Sequence, residues 1–174
     1  GKPVDGYIAN RIVGTRALCS ALEQVRDKAA SLGFGLLLWD GYRPQCAVDC
    51  FVRWAQQPDD AATKSRYHPN ISRTEMFDKG YVALKSGHSR GSTTDLTLYH
   101  LDTGELAAMG GGHDLMDPIS HHGAPGTTPT VARNRECLRS LMEACDFASY
   151  DSEWWHYTLR DEPYPDTYFD FPIT

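Results

Sequence analysis

A carboxylate lies in the middle of a stretch that otherwise has the composition of a buried strand. Asp95 falls within the run TTDLTL at residues 93–98, which is rich in β-branched and apolar side chains. An ionised carboxylate that leaves water for such an environment loses its hydration energy unless a cation or hydrogen-bond donors meet it. The fold must therefore bring a metal ion or an arginine to this strand.

Two histidines and a second carboxylate could complete a metal site with Asp95. His88 precedes Asp95 by seven residues and is joined to it by a glycine-containing turn. Glu153 and His156 lie three residues apart, separated by two tryptophans whose bulk is typical of a dry pocket. Because alternate side chains of a strand point to opposite faces, we expect His156 within a strand and Glu153 before it, on a bend or bulge.

This set of side chains is typical of a catalytic metal rather than a structural one. Two imidazoles and one carboxylate occupy three positions of a tetrahedral zinc ion and leave the fourth open. Zinc lowers the pKa of a bound water towards ~7, and a carboxylate such as Glu153 can take the proton and pass it to a leaving amine. The spacing alone also permits a metal-free structure, in which Asp95 is a hydrogen-bonded core carboxylate and both histidines are partly buried.

Charge and composition narrow the classes of partner. The net charge of -6 argues against nucleic-acid binding, which needs a basic surface, but permits a small zwitterionic substrate. No apolar run approaches the ~20 residues of a membrane span.

The five cysteines match no common zinc spacing. We expect them to be reduced, buried groups in a cytosolic protein, with a disulfide or a metal site as the alternatives.

The chain is predicted to form one domain over residues 1–174, of the α+β class, with helices packed on a small antiparallel sheet. Helices are predicted at residues 15–32, 44–56 and 130–145, the last with Thr130 as its cap. Strands are predicted at residues 35–39, 93–98, 147–149 and 155–159, with a hairpin turn at 101–106 leading to a further strand. Residues 57–80 are predicted to be mostly irregular apart from a helical turn near residues 73–77, and residues 110–129 to form a long loop.

The motifs resemble those of the D-Ala-D-Ala metallopeptidases, and most of all the VanX-type D-alanyl-D-alanine dipeptidases of vancomycin resistance. The family pattern Ser-x-His-x-x-Gly-x-Ala-x-Asp is met at Ser86, His88, Gly91 and Asp95, with Thr93 in place of the usual Ala. The family's Glu-x-x-His is met at residues 153–156. Residues 10–14, 40–44 and 168–172 are also similar, so the resemblance runs nearly end to end. Compared with the family, a short N-terminal segment is expected to precede Gly1.

The resemblance implies a metal site and a fold. It implies one zinc ion per chain, bound by His88, Asp95 and His156, with Glu153 as the general base. It also implies that the zinc site lies on the sheet of a hedgehog or D-Ala-D-Ala-peptidase-like fold.

Four further residues are candidates for catalysis or substrate binding. The resemblance implies that Arg43 acts near the scissile carbonyl, where a fixed guanidinium stabilises negative charge on oxygen; a structural salt bridge to Asp40 is the alternative. Ser86 could bind the substrate carboxylate, or it could only cap a turn. Asp114 could pair with the substrate ammonium, or it could be a solvated loop acid. Tyr7 could line the pocket or pack in the core.

The activity implied by the resemblance is zinc-dependent hydrolysis of the D-alanyl-D-alanine dipeptide to two D-alanines in the cytoplasm. This reaction would deplete the cell-wall precursor that vancomycin recognises. Two alternatives stay open: a D,D-carboxypeptidase acting on longer peptidoglycan peptides, and a zinc-containing binding module without turnover. The implied partner is the dipeptide, with no nucleic acid and no membrane, and a homo-oligomer is compatible with the sequence.

Overall fold

The structure is a computed structural model that describes residues 4–174, and in this part of the chain a four-stranded sheet packs against helices. The helices are α1 (Arg16–Ser31), α2 (Gln45–Ala55), α3 (Ala61–Tyr67), α4 (Glu75–Asp78) and α5 (Pro129–Glu143), with 3-10 turns at Gly87–Arg90 and Pro118–Ser120. The strands are β1 (Phe34–Asp40), β2 (Thr93–His100), β3 (Phe147–Tyr150) and β4 (Glu153–Leu159). They lie in the order β1-β2-β4-β3, and every neighbouring pair is antiparallel. The predicted α+β class is confirmed.

The two long helices form where apolar residues recur at helical spacing. In α1 the side chain of Thr15 accepts a hydrogen bond from the amide of Leu18 and so caps the first turn. Gly33, with φ of +83°, follows the helix in a conformation that favours glycine. The predicted cap of α5 was wrong: Thr128 accepts from the amide of Val131, because Pro129 already occupies the first helical turn.

The apolar core lies between the sheet and helices α1 and α5. Leu96 and Leu98 of β2 are fully buried, as are Leu138 and Met142 of α5, and all four belong to one cluster. Because strand side chains alternate between the two faces, Asp95 points away from this core. Because the apolar side chains of β2 pack on one face of the sheet, polar side chains such as Asp95 lie on the opposite face.

The register of the sheet aligns three polar residues in one row. Asp95 pairs with Asp40 on β1 and with His156 on β4, so the three side chains share a face. The pairing of β3 with β4 is irregular, and Tyr150 lies opposite Glu153. The expected bulge near Glu153 is thus confirmed, although β4 already begins at this residue.

Three local predictions were wrong. Residues 57–80 contain the unexpected helix α3, capped by Asp60, whereas the short α4 overlaps the helical turn expected near residues 73–77. Helix α3 has no buried residue, so it carries no apolar periodicity to detect. The strand expected after the hairpin is reduced to a single bridge between Tyr99 and Leu106. All five cysteines are free as expected, but only Cys145 is buried; Cys19 is exposed and the other three are half-buried.

Residues 168–173, here called the C-terminal segment, connect distant parts of the chain. The amide of Phe169 donates to the carbonyl of Ser89, and its carbonyl accepts from the amide of Gln45. Ile173 forms a parallel bridge with Tyr7. The segment therefore braces the N-terminal residues, the turn before α2 and the turn that carries His88. Within residues 4–174, no helix combines the length and the apolarity that crossing a membrane requires.

Candidate metal centre

Three side chains from separate elements converge on the polar face of the sheet. His88 comes from the 3-10 turn before β2, Asp95 from β2 and His156 from β4. One ligand atom from each lies within 4.8 Å of the others. We call these three residues the metal cluster. The structure thus brings together the three residues that the resemblance implied as ligands.

The orientation of His88 follows from its local sequence. Ser86 accepts a hydrogen bond from the amide of His88, and Gly91, with φ of +79°, ends the turn. The ring Nδ1 of His88 lies 2.7 Å from the carbonyl oxygen of Gly41. Because a carbonyl can only accept, Nδ1 carries the hydrogen and Nε2 keeps its lone pair. That lone pair is available to a metal ion, and the bond to Gly41 fixes the ring.

The second ligand, Asp95, is almost fully buried. Its Oδ1 lies 3.1 Å from Nδ1 of His156, and its Oδ2 lies 3.3 Å from Nε2 of His88. Burial opposes ionisation, but the surrounding imidazoles outweigh it and hold the pKa of Asp95 well below its usual range. The carboxylate is therefore ionised and able to bind a cation.

The donor set fits a divalent cation. Among residues 4–174, the buried atoms without a hydrogen-bond partner include Nε2 of His88 and Oδ1 of Asp95. Buried polar atoms are nearly always paired, so these two require a partner of another kind. A cation between them and Nδ1 of His156 would supply it, with two nitrogens and one oxygen as in catalytic zinc sites.

Glu153 lies beside this cluster. Its Oε2 is 3.6 Å from Nδ1 of His156, and its side chain is largely buried. Burial raises the pKa of Glu153 to about 7, and the like charge of Asp95 adds to the increase. A carboxyl group whose pKa is near neutrality can both accept and release a proton, which suits a general acid–base.

Arg43 is held in place by two carboxylates. Its Nε and Nη2 both lie 2.9 Å from Oδ2 of Asp40, and Nη2 is 3.6 Å from Oδ2 of Asp95. The structural salt bridge to Asp40, weighed above as an alternative, is therefore present. It does not exclude a catalytic role, because Arg43 also lines the cavity next to the metal cluster.

A cavity of about 360 Å³ opens beside the metal cluster. Its polar lining includes the cluster itself, Arg43, Glu153, Ser86 and Asp114. The opposite wall is mostly apolar and includes Val48, Phe51, Trp54, Val82 and Met116. Such a cavity suits a small molecule with charged ends and short apolar side groups.

Two sequence-based expectations differ from the structure. Tyr7 is not among the described residues that line the cavity. Its hydroxyl instead donates to Asp40, at 2.9 Å from Oδ1. Tyr7 therefore supports the carboxylate behind Arg43 rather than the cavity wall. The tryptophans beside Glu153 were expected to wall a dry pocket. Trp154 and Trp155 instead lie in the apolar core and are not among the described lining residues, although Trp155 also meets the ring of His113, with centroids 5.6 Å apart.

Sequence reasoning missed one residue at the site. Nε2 of His113, in the long loop after β2, lies 3.5 Å from Oδ2 of Asp95 and 3.4 Å from Oδ1 of Asp114. Its neighbours Gly112 and Asp114 offer no periodicity or ligand spacing that would have indicated this contact.

Comparison with known proteins adds independent information. The family model described as D-ala-D-ala dipeptidase matches residues 1–174. A D-alanyl-D-alanine dipeptidase of Streptomyces coelicolor is 73% identical over 173 residues, covering 99% of this chain and 86% of the relative. One from Enterococcus faecalis is 63% identical over 174 residues, covering 100% of this chain and 86% of the relative.

Among solved structures, the fold is similar to that of a vancomycin-resistance D,D-pentapeptidase, VanY, determined as a mutant in complex with Zn(II). The TM-score is 0.50 at 14% sequence identity, covering 91% of this chain and 82% of the other. This similarity concerns the fold alone.

The metal cluster leads to a prediction about metal content. We expect the purified protein to retain about one divalent cation per chain and His88→Ala to weaken its binding more than ~100-fold, since a ligand is lost outright. Elemental analysis after dialysis against a weak chelator measures this. His100→Gln is the control, because His100 lies against Phe34, with ring centroids 4.9 Å apart, outside the cluster. Equal metal content in both variants would contradict the assignment.

Proposed function

The chain belongs to the D-Ala-D-Ala dipeptidase family, and on that premise we propose that it hydrolyses D-alanyl-D-alanine to two D-alanines. The reaction uses a zinc ion held by His88, Asp95 and His156. One observation carries the proposal. The three residues whose ligand atoms lie within 4.8 Å of one another line the same cavity as Glu153. A substrate in the cavity can thus reach both the three ligand atoms that would hold the zinc ion and a proton acceptor.

Glu153 is the general base of this mechanism. When bound, zinc polarises the scissile carbonyl and lowers the pKa of a water towards ~7. Glu153 takes the proton of the attacking water and later returns it to the leaving amine. Its pKa of about 7 makes both transfers feasible near neutral pH.

Arg43 stabilises the charge that develops on the carbonyl oxygen. The attack of water moves negative charge onto this oxygen, and a fixed guanidinium lowers the energy of that state without having to reorient. Asp40 holds Nε and Nη2 of Arg43, and Tyr7 in turn donates to Asp40. The positive group is therefore already in position before the substrate arrives.

Two residues bind the charged ends of the dipeptide. Ser86 accepts a hydrogen bond from the amide of His88 through its oxygen, which leaves its hydroxyl hydrogen free for the substrate carboxylate. Asp114, on the long loop, pairs with the substrate ammonium. Its backbone has a φ of +61°, a conformation that non-glycine residues rarely adopt and that functional positions often contain.

In the cell, this activity removes a building block of the cell-wall precursor and so supports vancomycin resistance. The free dipeptide is a cytoplasmic compound, and reduced cysteines are compatible with that compartment. We therefore place the enzyme in the cytoplasm. A homo-oligomer stays a prediction.

The role of Glu153 can be tested by removing its charge. We expect Glu153→Gln to lower kcat for D-alanyl-D-alanine by ~10²- to 10⁴-fold, the usual contribution of a general base. Zinc content should be unchanged, because Glu153 is not a ligand. Release of D-alanine and metal content are measured together, with exposed Glu105→Gln as the control. If the wild-type protein holds zinc but turns nothing over, the alternative of a binding module gains support.

The pH dependence should follow the ionisation of Glu153. Protonated Glu153 cannot accept a proton, so kcat/KM falls as pH decreases through its pKa. This pKa is about 7 without a metal, and the positive charge of a bound zinc lowers it, so the acid limb lies at or below about pH 7. A pH–rate profile of the zinc-loaded enzyme measures the limb, which should disappear in Glu153→Gln. An unchanged limb in that variant would assign it to another group.

The assignment of Asp114 predicts a preference for free dipeptides. We expect Asp114→Asn to raise KM for D-alanyl-D-alanine by ~10- to 100-fold, since a charged hydrogen bond contributes ~1.5–3 kcal/mol. N-acetyl-D-alanyl-D-alanine, which has no ammonium group, should be a poor substrate of both forms. Asp102→Asn, on an exposed turn, is the control. Efficient cleavage of the acetylated peptide would instead support the D,D-carboxypeptidase alternative.

A further inference from the structure

The long loop after β2 brings an imidazole between two carboxylates that have different tasks. Nε2 of His113 lies 3.5 Å from Oδ2 of Asp95, a proposed metal ligand, and 3.4 Å from Oδ1 of Asp114, the proposed ammonium partner. His113 is not part of the metal cluster. Its ring nitrogen therefore faces ligand oxygen rather than the space for a metal.

Aromatic packing fixes this ring. His113 stacks on Trp39 of β1, with ring centroids 4.5 Å apart and an interplanar angle of 20°. Trp155 meets the same ring edge-on at 5.6 Å. Both tryptophans belong to the sheet, so the imidazole is positioned by the rigid part of the fold although its backbone lies in a loop.

The contact makes the two oxygens of Asp95 unequal. Two donors face Oδ2: Nε2 of His113 at 3.5 Å and Nη2 of Arg43 at 3.6 Å. Nε2 of His88, 3.3 Å away, carries no hydrogen and is not a donor to Oδ2. Oδ1 has no hydrogen-bond partner among residues 4–174 and faces His156. Donors gathered on one oxygen leave the other as the ligand and hold the carboxylate plane in place.

From this arrangement, we propose that His113 is a positioning residue that donates from Nε2 to Oδ2 of Asp95 and so presents Oδ1 to the metal ion. This inference rests on the proposed function. Because Nε2 carries one hydrogen, the same donor also faces Asp114. When a substrate ammonium pairs with Asp114, the Nε2–H of His113 is free to bond Asp95 instead. Binding of the substrate's amino group is thereby coupled to the metal cluster.

Three variants test the proposal in the full chain. His113→Gln retains a side-chain donor of similar reach, His113→Met has the same length without a donor, and His113→Phe keeps the stack on Trp39 without a donor. The matched control is His100→Phe, which keeps an aromatic ring beside Phe34, away from the site. The main measurement is the Kd for Zn(II) by competition with a chromophoric chelator, with KM and kcat at saturating zinc as the second.

We expect His113→Met and His113→Phe to weaken zinc binding by ~10- to 100-fold, the usual effect of losing a hydrogen bond to a ligand. His113→Gln should restore most of the affinity, and the control should match the wild type. At saturating zinc, KM in the Met and Phe variants should not exceed that of the wild type, because the substrate ammonium then meets Asp114 without a competing donor. If the Phe variant does not fold, the Gln and Met pair decides the question.

Two results would overturn the inference: zinc affinity in His113→Met within about twofold of the wild type, or equal losses in the Gln and Met variants, which would indicate a purely steric role. Failure of the proposed function is distinguishable from either result. A wild-type protein that binds zinc but leaves the dipeptide intact would refute the dipeptidase, while the comparison of zinc affinities would still decide the role of His113.

Discussion

The buried charge of Asp95 is the constraint on which the rest of the structure depends. Its side chain is only 3% exposed, and a carboxylate at that depth is stable only if positive or donating groups surround it. The guanidinium of Arg43 and the imidazole of His113 lie within 3.6 Å of Oδ2 and can donate to it. The imidazoles of His88 and His156 lie within 3.3 Å of the carboxylate and would meet the same need through a shared cation. A requirement of folding and a requirement of metal binding are thus met by the same side chains.

Strand register joins the stability of the core to the chemistry of the site. Leu96 packs into the apolar core, and its neighbour Asp95 pairs with His156 on the opposite face. A slip of one residue between β2 and β4 would turn His156 into the core and disassemble the metal cluster. The burial of Leu96 and Tyr157, which opposes such a slip, therefore also preserves the ligand geometry.

Sequence reasoning succeeded where a residue's role shows in its immediate neighbours. Periodicity predicted α1 and α5 because each has a buried stripe, whereas α3 has no buried residue and was missed. Asp95 was recognisable as a carboxylate in an apolar strand, but spacing alone left a metal-free structure open until the resemblance was considered. Tyr7 and His113 act through partners that are distant in sequence or lie in a loop, and no local pattern reveals such contacts.

The bracing by the C-terminal segment has a consequence for biosynthesis. The bridge between Ile173 and Tyr7 links residues 168–173 to the residue that supports Asp40, and the amide of Phe169 donates to Ser89 in the turn that carries His88. These bonds can form only after the segment has emerged from the ribosomal exit tunnel. Until then, the turn that carries His88 and the residue that supports Asp40 lack this bracing.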